Sequence, residues 1–207
     1  MKIKVLILPV GQLQTNCYVM EDEETREGWI IDPGDDGDYI ARVLAEKEIK
    51  PVKILATHGH FDHIMAALEL QLNYQIPFLV HEKDEFLVSS LQKRAKHWLG
   101  YESPPPPKID EYLKGEQKLS IGGVKFEVVE TPGHSPGSVA LYSPSERIVF
   151  VGDLMFAGGG VGRTDFSYAS EEDLYKSIKK ILGLPSKTVI YSGHGKVASV
   201  EAERKFY

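Results

Sequence analysis

Cysteine is almost absent from this chain of 207 residues, since Cys17 is the only one. A lone cysteine can form no disulfide within the chain and cannot build a cysteine-rich zinc module. Any metal ion that the protein binds must therefore be held by histidine and carboxylate side chains.

An excess of positive charge is also missing. The sequence has 24 lysines and arginines against 30 aspartates and glutamates, which gives a formal net charge of -6. Domains that bind nucleic acid usually carry a basic face that neutralises phosphates. We therefore predict a small-molecule substrate and no nucleic-acid partner, while the oligomeric state stays open.

Long hydrophobic runs do not occur. No stretch approaches the roughly 20 apolar residues that a membrane-spanning helix needs. The residues Met1–Val10 contain a short apolar run with Lys2 and Lys4 interleaved and no cleavage site of small residues, so they favour a strand over a signal peptide. The sequence thus predicts no membrane partner and a cytoplasmic protein.

The composition that remains is that of an ordinary globular protein. Hydrophobic residues make up 42% and charged residues 26% of the chain, enough to bury a sizeable core. The length is compatible with one large domain or two small ones. We expect a single domain over residues 1–207.

Short apolar runs and helical patterns alternate along the chain. The predicted strands are Ile3–Leu8, Asn16–Met20, Gly28–Ile31, Val52–Ala56, Pro77–His81, Gln117–Ile121, Val124–Val129, Ser138–Tyr142, Arg147–Val151 and Thr188–Tyr191. The predicted helices are Asp38–Lys47, Asp62–Asn73, Glu82–Leu99, Ser170–Leu182 and Val200–Tyr207. Each half is a group of strands followed by helices, which indicates an α/β (α+β) fold with sheets inside and helices outside.

Two segments between these elements allow more than one interpretation. The stiff tract Pro104–Pro107 is either a lid over a site or a surface connection between the two halves. The glycines Gly158, Gly159 and Gly160 lack the spacing and the lysine of a phosphate-binding loop. We expect a flexible turn there, near the mouth of the site.

Five of the seven histidines lie at or just after the ends of predicted strands. Three of them are in the loop Thr57–His63 (THGHFDH), which follows the apolar run Val52–Ala56. His134, Asp153 and His194 follow three further strands. Because the ends of buried strands lie close together, these four loops can converge on one site. His81 and His97 lack such a context, and we assign them no role.

This set of side chains predicts a metal site. Imidazole and carboxylate ligands suit zinc, iron or manganese. Six or seven ligands are too many for one tetrahedral zinc, so two divalent ions are the simpler explanation. Taken singly, Asp62 is explained equally well as a helix N-cap. His134 or His194, taken singly, is explained as a histidine of a loop or of the core. Their joint occurrence favours the metal site.

The order of these residues resembles a known family. The run His58–His63 (HGHFDH), followed by His134, Asp153 and His194, is similar to the metallo-β-lactamase superfamily. The resemblance covers essentially the whole chain and implies an αββα sandwich with the site at one edge between the sheets.

Two later motifs narrow the resemblance to the glyoxalase II-like hydrolases. They are Thr131–Ser138 (TPGHSPGS) and Val151–Phe156 (VGDLMF), with Gly162–Asp165 (GRTD) beyond them. The resemblance implies two metal ions, with zinc favoured and iron or manganese possible. The implied ligands are His58, His60 and His134 for the first metal, Asp62, His63 and His194 for the second, and Asp153 as the bridge. We also assign the two carboxylates of Asp62 and Asp153 to catalysis.

Such a centre predicts a metal-dependent hydrolase. A water held between two metals roughly 3.5–4 Å apart is deprotonated near neutral pH and attacks a carbonyl, while a metal stabilises the oxyanion. Ester, thioester and lactone hydrolysis all meet this description. The resemblance favours a thioester such as S-lactoylglutathione, as in a hydroxyacylglutathione hydrolase.

Two departures leave glutathione recognition open. The sequence has no room for the helical C-terminal domain of classical glyoxalase II enzymes, and it lacks their lysine and tyrosines near the site. Arg163 and Lys196 stand in the corresponding stretches. They are expected either to bind a carboxylate of the substrate or to be solvated loop charges.

Three other functions share the fold. The segment Gly162–Phe166 also resembles iron dioxygenases that act on glutathione persulfide and hold one iron through the equivalents of His58, His134 and Asp153. Val161 and Gly195 replace the cysteine and the acidic residue typical of that branch, which favours the hydrolase. The remaining alternatives are an inactive metal-binding scaffold and a nuclease, and the acidic charge balance disfavours the nuclease.

Overall fold

Two six-stranded β-sheets organise residues 3–207, the part of the chain that the computed structural model describes. The first sheet takes its strands in chain order, antiparallel from the first to the third and parallel from the third to the sixth. These strands are β1 (Ile3–Val10), β2 (Thr15–Asp22), β3 (Glu27–Ile31), β4 (Lys50–Leu55), β5 (Phe78–His81) and β6 (Glu111–Leu113).

The second half of the chain supplies eight further strands. They are β7 (Lys118–Ile121), β8 (Val124–Glu130), β9 (Val139–Ser143), β10 (Ile148–Gly152), β11 (Met155–Phe156), β12 (Gly160–Val161), β13 (Val189–Ser192) and β14 (Ala198–Ser199). The second sheet has the order β14-β13-β10-β9-β8-β7, in which only the β10–β13 pair is parallel. Strands β11 and β12 form a separate small hairpin.

The helices cover the outer faces of the two sheets. They are α1 (Gly37–Glu46), α2 (Phe61–Ile64), α3 (Ala67–Tyr74), α4 (Glu85–Ser89), α5 (Leu91–Leu99), α6 (Glu171–Leu182) and α7 (Val200–Glu203), with 3₁₀ turns at Glu82–Asp84 and Arg204–Phe206. Among residues 3–207, no helix combines the length and the apolar character that crossing a membrane requires.

Alternation along the buried strands sets the order of the layers. In β3, Trp29 and Ile31 join the apolar cluster between the sheets, whereas Ile30 joins the cluster under helices α1, α3 and α5. The ring of Trp29 lies 5.3 Å from that of Phe126 in the opposite sheet. A third cluster packs Leu174 of α6 on the outer face of the second sheet. The resulting helix, sheet, sheet, helix order confirms the αββα prediction.

Two long predicted helices are wrong in the same way, because each is interrupted. Residues 62–73 divide into α2 and α3, since the Ala66 N–H donates to the Pro33 carbonyl instead of continuing the helical pattern. Residues 82–99 begin with a 3₁₀ turn and divide again at Ser90, whose hydroxyl donates to the Leu87 carbonyl. The short strands β6, β11, β12 and β14 have too few residues for a periodic signal and were not predicted. The last predicted helix ends at Glu203 and continues as a 3₁₀ turn.

Candidate metal centre

The structure brings all seven predicted ligands to one edge of the sandwich. Three groups of three side chains each have their ligand atoms within 4.8 Å of one another, and two of these groups consist of predicted ligands alone. The first cluster consists of His58, His60 and His134, and the second cluster consists of Asp62, His63 and His194. Asp153 lies between them.

In the first cluster three ring nitrogens point at one another. Nδ1 of His60 lies 3.1 Å from Nε2 of His58 and 2.9 Å from Nε2 of His134. The outer nitrogen Nδ1 of His134 lies 2.8 Å from the carbonyl oxygen of Arg163, to which it must donate. In a neutral imidazole the inner nitrogen is then an acceptor. The outer nitrogen of His60 lies 2.9 Å from the Tyr168 hydroxyl, which helps to orient this ring.

Low pKa values keep two of these three imidazoles neutral at neutral pH. Burial lowers the pKa of His58 well below its ordinary value, and the neighbouring histidines lower it further. Burial, together with the neighbouring His134, lowers the pKa of His60 to about 3. Three imidazoles whose inner nitrogens converge form a donor set that fits a divalent cation.

The second cluster combines charge with two imidazoles. Oδ2 of Asp62 lies 3.7 Å from Nε2 of His63 and 3.5 Å from Nε2 of His194. Nδ1 of His194 donates to the Leu13 carbonyl at 3.1 Å, which directs Nε2 towards the cluster. Within residues 3–207, the buried Nε2 of His63 and Oδ1 of Asp153 have no hydrogen-bond partner. Buried polar atoms without partners are costly, so this cluster also fits a cation.

Burial and charge oppose each other in the second cluster. Burial lowers the pKa of His63, but the carboxylates of Asp153, Asp62 and Asp32 outweigh it and raise this pKa well above its ordinary value. Burial likewise raises the pKa of Asp62 and Asp153, but the surrounding histidines prevail and both values are lowered. Both carboxylates are therefore ionised and supply negative charge to the site.

Asp153 faces both clusters. Its Oδ1 lies 3.4 Å from Nε2 of His63, and its Oδ2 lies 3.7 Å from Nε2 of His134 and 3.6 Å from Nε2 of His194. A single carboxylate can thus contribute one oxygen to each side of a two-metal site.

Asp32 supports both clusters, and the sequence did not single it out. Its buried carboxylate accepts hydrogen bonds from the Thr57 N–H at 2.7 Å, the Thr57 hydroxyl at 2.6 Å and Nδ1 of His63 at 3.0 Å. The Thr57 hydroxyl is then free to accept from Nδ1 of His58, 3.2 Å away. Asp32 thereby orients one histidine of each cluster, as carboxylates behind metal ligands commonly do. In the sequence it precedes Pro33 and Gly34, a pattern typical of a turn, and that masked its role.

Asp84 ties together the two loops that carry the first cluster. It is fully buried and accepts hydrogen bonds from the Gly59 N–H at 2.8 Å, the Ser135 hydroxyl at 2.6 Å and the Gly137 N–H at 2.7 Å. A Cβ at Gly137 would lie 2.6 Å from an oxygen of Asp84, so only glycine allows this approach. Burial raises the pKa of Asp84, although the hydrogen bonds oppose this effect. No local sequence pattern indicated the role of Asp84.

A cavity of about 340 Å³ opens onto both clusters. Its wall is mostly apolar or aromatic and includes two arginines. The wall includes Leu13, Phe61, Arg94, Trp98, Phe156, Val161, Arg163 and Phe166. An apolar cavity beside a few polar groups is the usual form of a small-molecule site.

The structure treats the two predicted substrate-binding residues differently. Arg163 lines the cavity, but Asp165 neutralises its guanidinium through two hydrogen bonds of 2.9 and 2.6 Å. The same guanidinium lies 5.2 Å from the ring centre of Trp98 and 5.0 Å from that of Phe166. Lys196 is exposed and does not line the cavity.

The glycine segment beside the cavity is held in place. The carboxylate of Glu203 accepts the N–H groups of Gly158 and Gly159 at 3.0 Å each. The Tyr207 hydroxyl donates to the Gly160 carbonyl at 3.0 Å. The C-terminal segment thus anchors the β11–β12 hairpin, in contrast to the flexible turn that we expected.

Comparisons with known proteins agree with this geometry. The model of the metallo-beta-lactamase superfamily matches residues 10–194. The probable metallo-hydrolase YqgX of Bacillus subtilis is 37% identical over 199 residues, which cover 95% of this chain and 92% of that protein. The hydroxyacylglutathione hydrolase GloC of Haemophilus influenzae is 32% identical over 211 residues, covering 98% of this chain and 96% of that protein.

A solved structure extends the similarity to three dimensions. TTHA1623, crystallised in a di-iron-bound form, superimposes with a TM-score of 0.89 at 35% identity and covers 98% of both chains. Sequence, fold and the arrangement of the histidines therefore lead to the same result. The chain belongs to the metallo-beta-lactamase superfamily of metal-dependent hydrolases.

Proposed function

We propose that this protein hydrolyses a thioester at a centre of two divalent metal ions, with zinc as the favoured metal and iron or manganese as alternatives. The observation that carries the proposal is the pair of adjacent clusters of bare donor atoms that share Asp153. The first cluster would hold one ion and the second cluster the other. A site for one ion would not require six converging donors and a shared carboxylate.

When bound, two such ions supply an activated water and a Lewis acid for the carbonyl oxygen of the substrate. The chain's own residues determine where this chemistry takes place. Asp62 and Asp153, which we propose as the catalytic carboxylates, line the cavity, where they can orient a water molecule and accept its proton. The apolar wall, including Phe61 and Phe166, excludes bulk water and strengthens the electrostatic interactions inside.

A thioester suits this site for a reason of acid–base chemistry. A thiolate leaves without first receiving a proton, because the pKa of a thiol is only about 8.5. All five histidines near the cavity have their inner nitrogens directed at the two clusters, so none is placed as a general acid for a poorer leaving group. The similarity to a hydroxyacylglutathione hydrolase supports the same substrate class. Esters and lactones remain the related alternatives.

The position of the site also supports a single domain. The first half of the chain provides His58, His60, Asp62 and His63, and the second half provides His134, Asp153 and His194. Neither half holds a complete set of ligands. We therefore propose that the two sheets work as one domain.

The test combines metal analysis with turnover on the same sample, purified without chelator. We expect about two metal ions per chain and hydrolysis of a panel of thioesters, with loss of turnover in His60→Ala and Asp62→Ala. His97→Ala is the matched control, because His97 is exposed on α5 and does not line the cavity. A protein that holds two metals but turns over no thioester, ester or lactone would refute the proposal. A single iron with oxygen consumption on a persulfide would identify the dioxygenase instead.

A further inference from the structure

The wall of the cavity contains a cation that no carboxylate of the described chain neutralises. Of the two arginines there, Arg163 is paired with Asp165. Arg94 contacts the neutral groups of Ser90 and Tyr168, and within residues 3–207 it forms no ion pair. Of the two arginines in the wall, Arg94 is therefore the one whose charge no carboxylate of the described residues neutralises.

Arg94 is held in a fixed orientation. It is half-buried on α5, and its Nε donates to the Ser90 hydroxyl one helical turn earlier at 2.9 Å. Its Nη1 lies 3.3 Å from the Tyr168 hydroxyl, and its guanidinium carbon lies 5.2 Å from the centre of that ring. A guanidinium has five N–H donors, so these two contacts leave donors for a ligand. A preorganised fork of this kind matches the two oxygens of a carboxylate.

Tyr168 connects this cation to the metal centre. Its hydroxyl lies 2.9 Å from Nε2 of His60, so a single side chain separates Arg94 from a histidine of the first cluster. An anionic group on Arg94 and a reacting carbonyl beside the two clusters can therefore belong to one small molecule within a cavity of about 340 Å³.

The rest of the wall determines what else the molecule must be. Leu13, Phe61, Trp98, Phe156, Val161 and Phe166 offer apolar surface and no charge. Beside such a surface, a fixed cation attracts an anion more strongly than it does in water. We infer that Arg94 is a specificity-determining residue, which selects thioesters that carry a carboxylate on an otherwise apolar body. This inference rests on the proposed function and names the substrate class of the same site.

The experiment uses substrate pairs that differ only in charge. The thioester of phenylacetic acid with 3-mercaptopropionate is compared with its 3-mercaptopropionamide analogue, which places the charge on the thiol. S-benzyl thioadipate is compared with the corresponding amide, which places it on the acyl group. We expect wild-type enzyme to prefer the carboxylate member of at least one pair by about tenfold in kcat/KM, mainly through KM, since hydrogen bonds to charged groups are stronger than those to neutral groups.

Four variants separate recognition from structural support. Arg94→Ala should abolish the preference while still hydrolysing the amides, and Arg94→Lys should retain part of it. Arg94→Glu should reverse it, so that phenylacetylthiocholine, which carries a trimethylammonium group, becomes better than the carboxylate. Lys93→Ala is the matched control, because Lys93 is the exposed neighbour of Arg94 on the same helix and does not line the cavity. It should leave the preference unchanged.

The outcomes distinguish this inference from the proposed function. Three results would overturn the role of Arg94 and leave the hydrolase in place. They are equal turnover of both members of each pair, a preference that persists in Arg94→Ala, and an equal loss of turnover for all substrates in that variant. If wild type hydrolyses none of them, turnover on the wider panel of thioesters, esters and lactones decides the proposed function. Arg94 is then tested by calorimetric binding of 3-phenylpropionate against 3-phenylpropionamide. Weaker binding of the acid alone in Arg94→Ala supports recognition of a carboxylate, and unchanged binding refutes it.

Discussion

The first cluster consists of three imidazoles buried to 1–7% exposure, whereas the second cluster adds a carboxylate and opens to the cavity through His194, whose side chain is 27% exposed. In the first, neutral groups such as the Tyr168 hydroxyl and the Arg163 carbonyl direct the rings. In the second, the ionised carboxylate of Asp62 and the hydrogen-bonded side chain of Asp32 lie beside His63. Neighbouring sites for the same kind of ion can thus rely on the orientation of their ligands in one case and on the charge around the ligands in the other.

The strongest test of this contrast removes what the two clusters share. Because Asp153 faces both, Asp153→Ala should release metal from both and lower kcat/KM for thioesters by on the order of 10³. Asp173→Ala is the control, because this aspartate of α6 pairs with Lys176 and does not line the cavity. Metal content and turnover are measured on the same samples. Loss of one ion with the other retained would show that Asp153 belongs to one cluster alone.

A smaller effect is expected from the residue behind both clusters. Asp32→Asn should weaken metal affinity by about 10–100-fold, because an amide cannot accept hydrogen bonds from Thr57 and His63 with both of its terminal atoms. Titration with a chelator measures the affinity, and Asp35→Asn in the same turn is the control. If only one of two ions becomes easier to remove, Asp32 supports one cluster rather than both.

The next change should affect the first cluster alone. Tyr168→Phe removes the hydroxyl that faces His60 while the ring remains stacked on Phe166. We expect metal affinity at the first cluster to fall by up to about tenfold, the value of one hydrogen bond, with the second cluster unchanged. Tyr175→Phe on the exposed side of α6 serves as the control. Equal weakening of both ions would mean that the two clusters are not independently supported.

The smallest predicted effect concerns the hydrogen bonds that hold the loops of each cluster in place. A carboxylate, Asp84, holds the loops of the first cluster, whereas the amide of Asn16 holds the loop of His194 by donating to the carbonyls of Ser192 and Gly195 at 3.0 Å. Because burial raises the pKa of Asp84 above 3.8, the folded state binds its proton more tightly than the unfolded state. Its contribution to stability therefore improves as the pH falls from neutral through that raised pKa towards 3.8.

Urea unfolding between pH 7 and pH 4.5 measures this difference. The free energy of unfolding of wild type relative to Asp84→Asn should rise as the pH falls, by at most about 1.4 kcal/mol per pH unit. Relative to Asn16→Ala it should stay constant, because an amide does not titrate. If the difference in the free energy of unfolding stays constant with pH for both variants, Asp84 does not hold the loops of the first cluster as a titrating carboxylate.

Much of the site follows from local sequence, and the exceptions have a common cause. The seven predicted ligands could be recognised because the four loops that carry them each follow a strand and combine histidine or aspartate with glycine. Asp32, Asp84 and Arg94 act through contacts with residues 25 to 74 positions away, which no local pattern records. Arg163 was expected either to bind a carboxylate of the substrate or to be a solvated loop charge, and the structure pairs it with Asp165, two positions further along the chain. The long predicted helices failed where Ala66 and Ser90 found partners outside the regular helical pattern.

The anchoring of the glycine hairpin has a consequence for the wall of the cavity. Glu203 and Tyr207 hold the backbone of residues 158–160 by hydrogen bonds. The β11–β12 hairpin that contains these residues also carries Phe156 and Val161 of the cavity wall. The shape of the wall against which substrates rest therefore depends on side chains that lie 44 to 47 positions further along the chain.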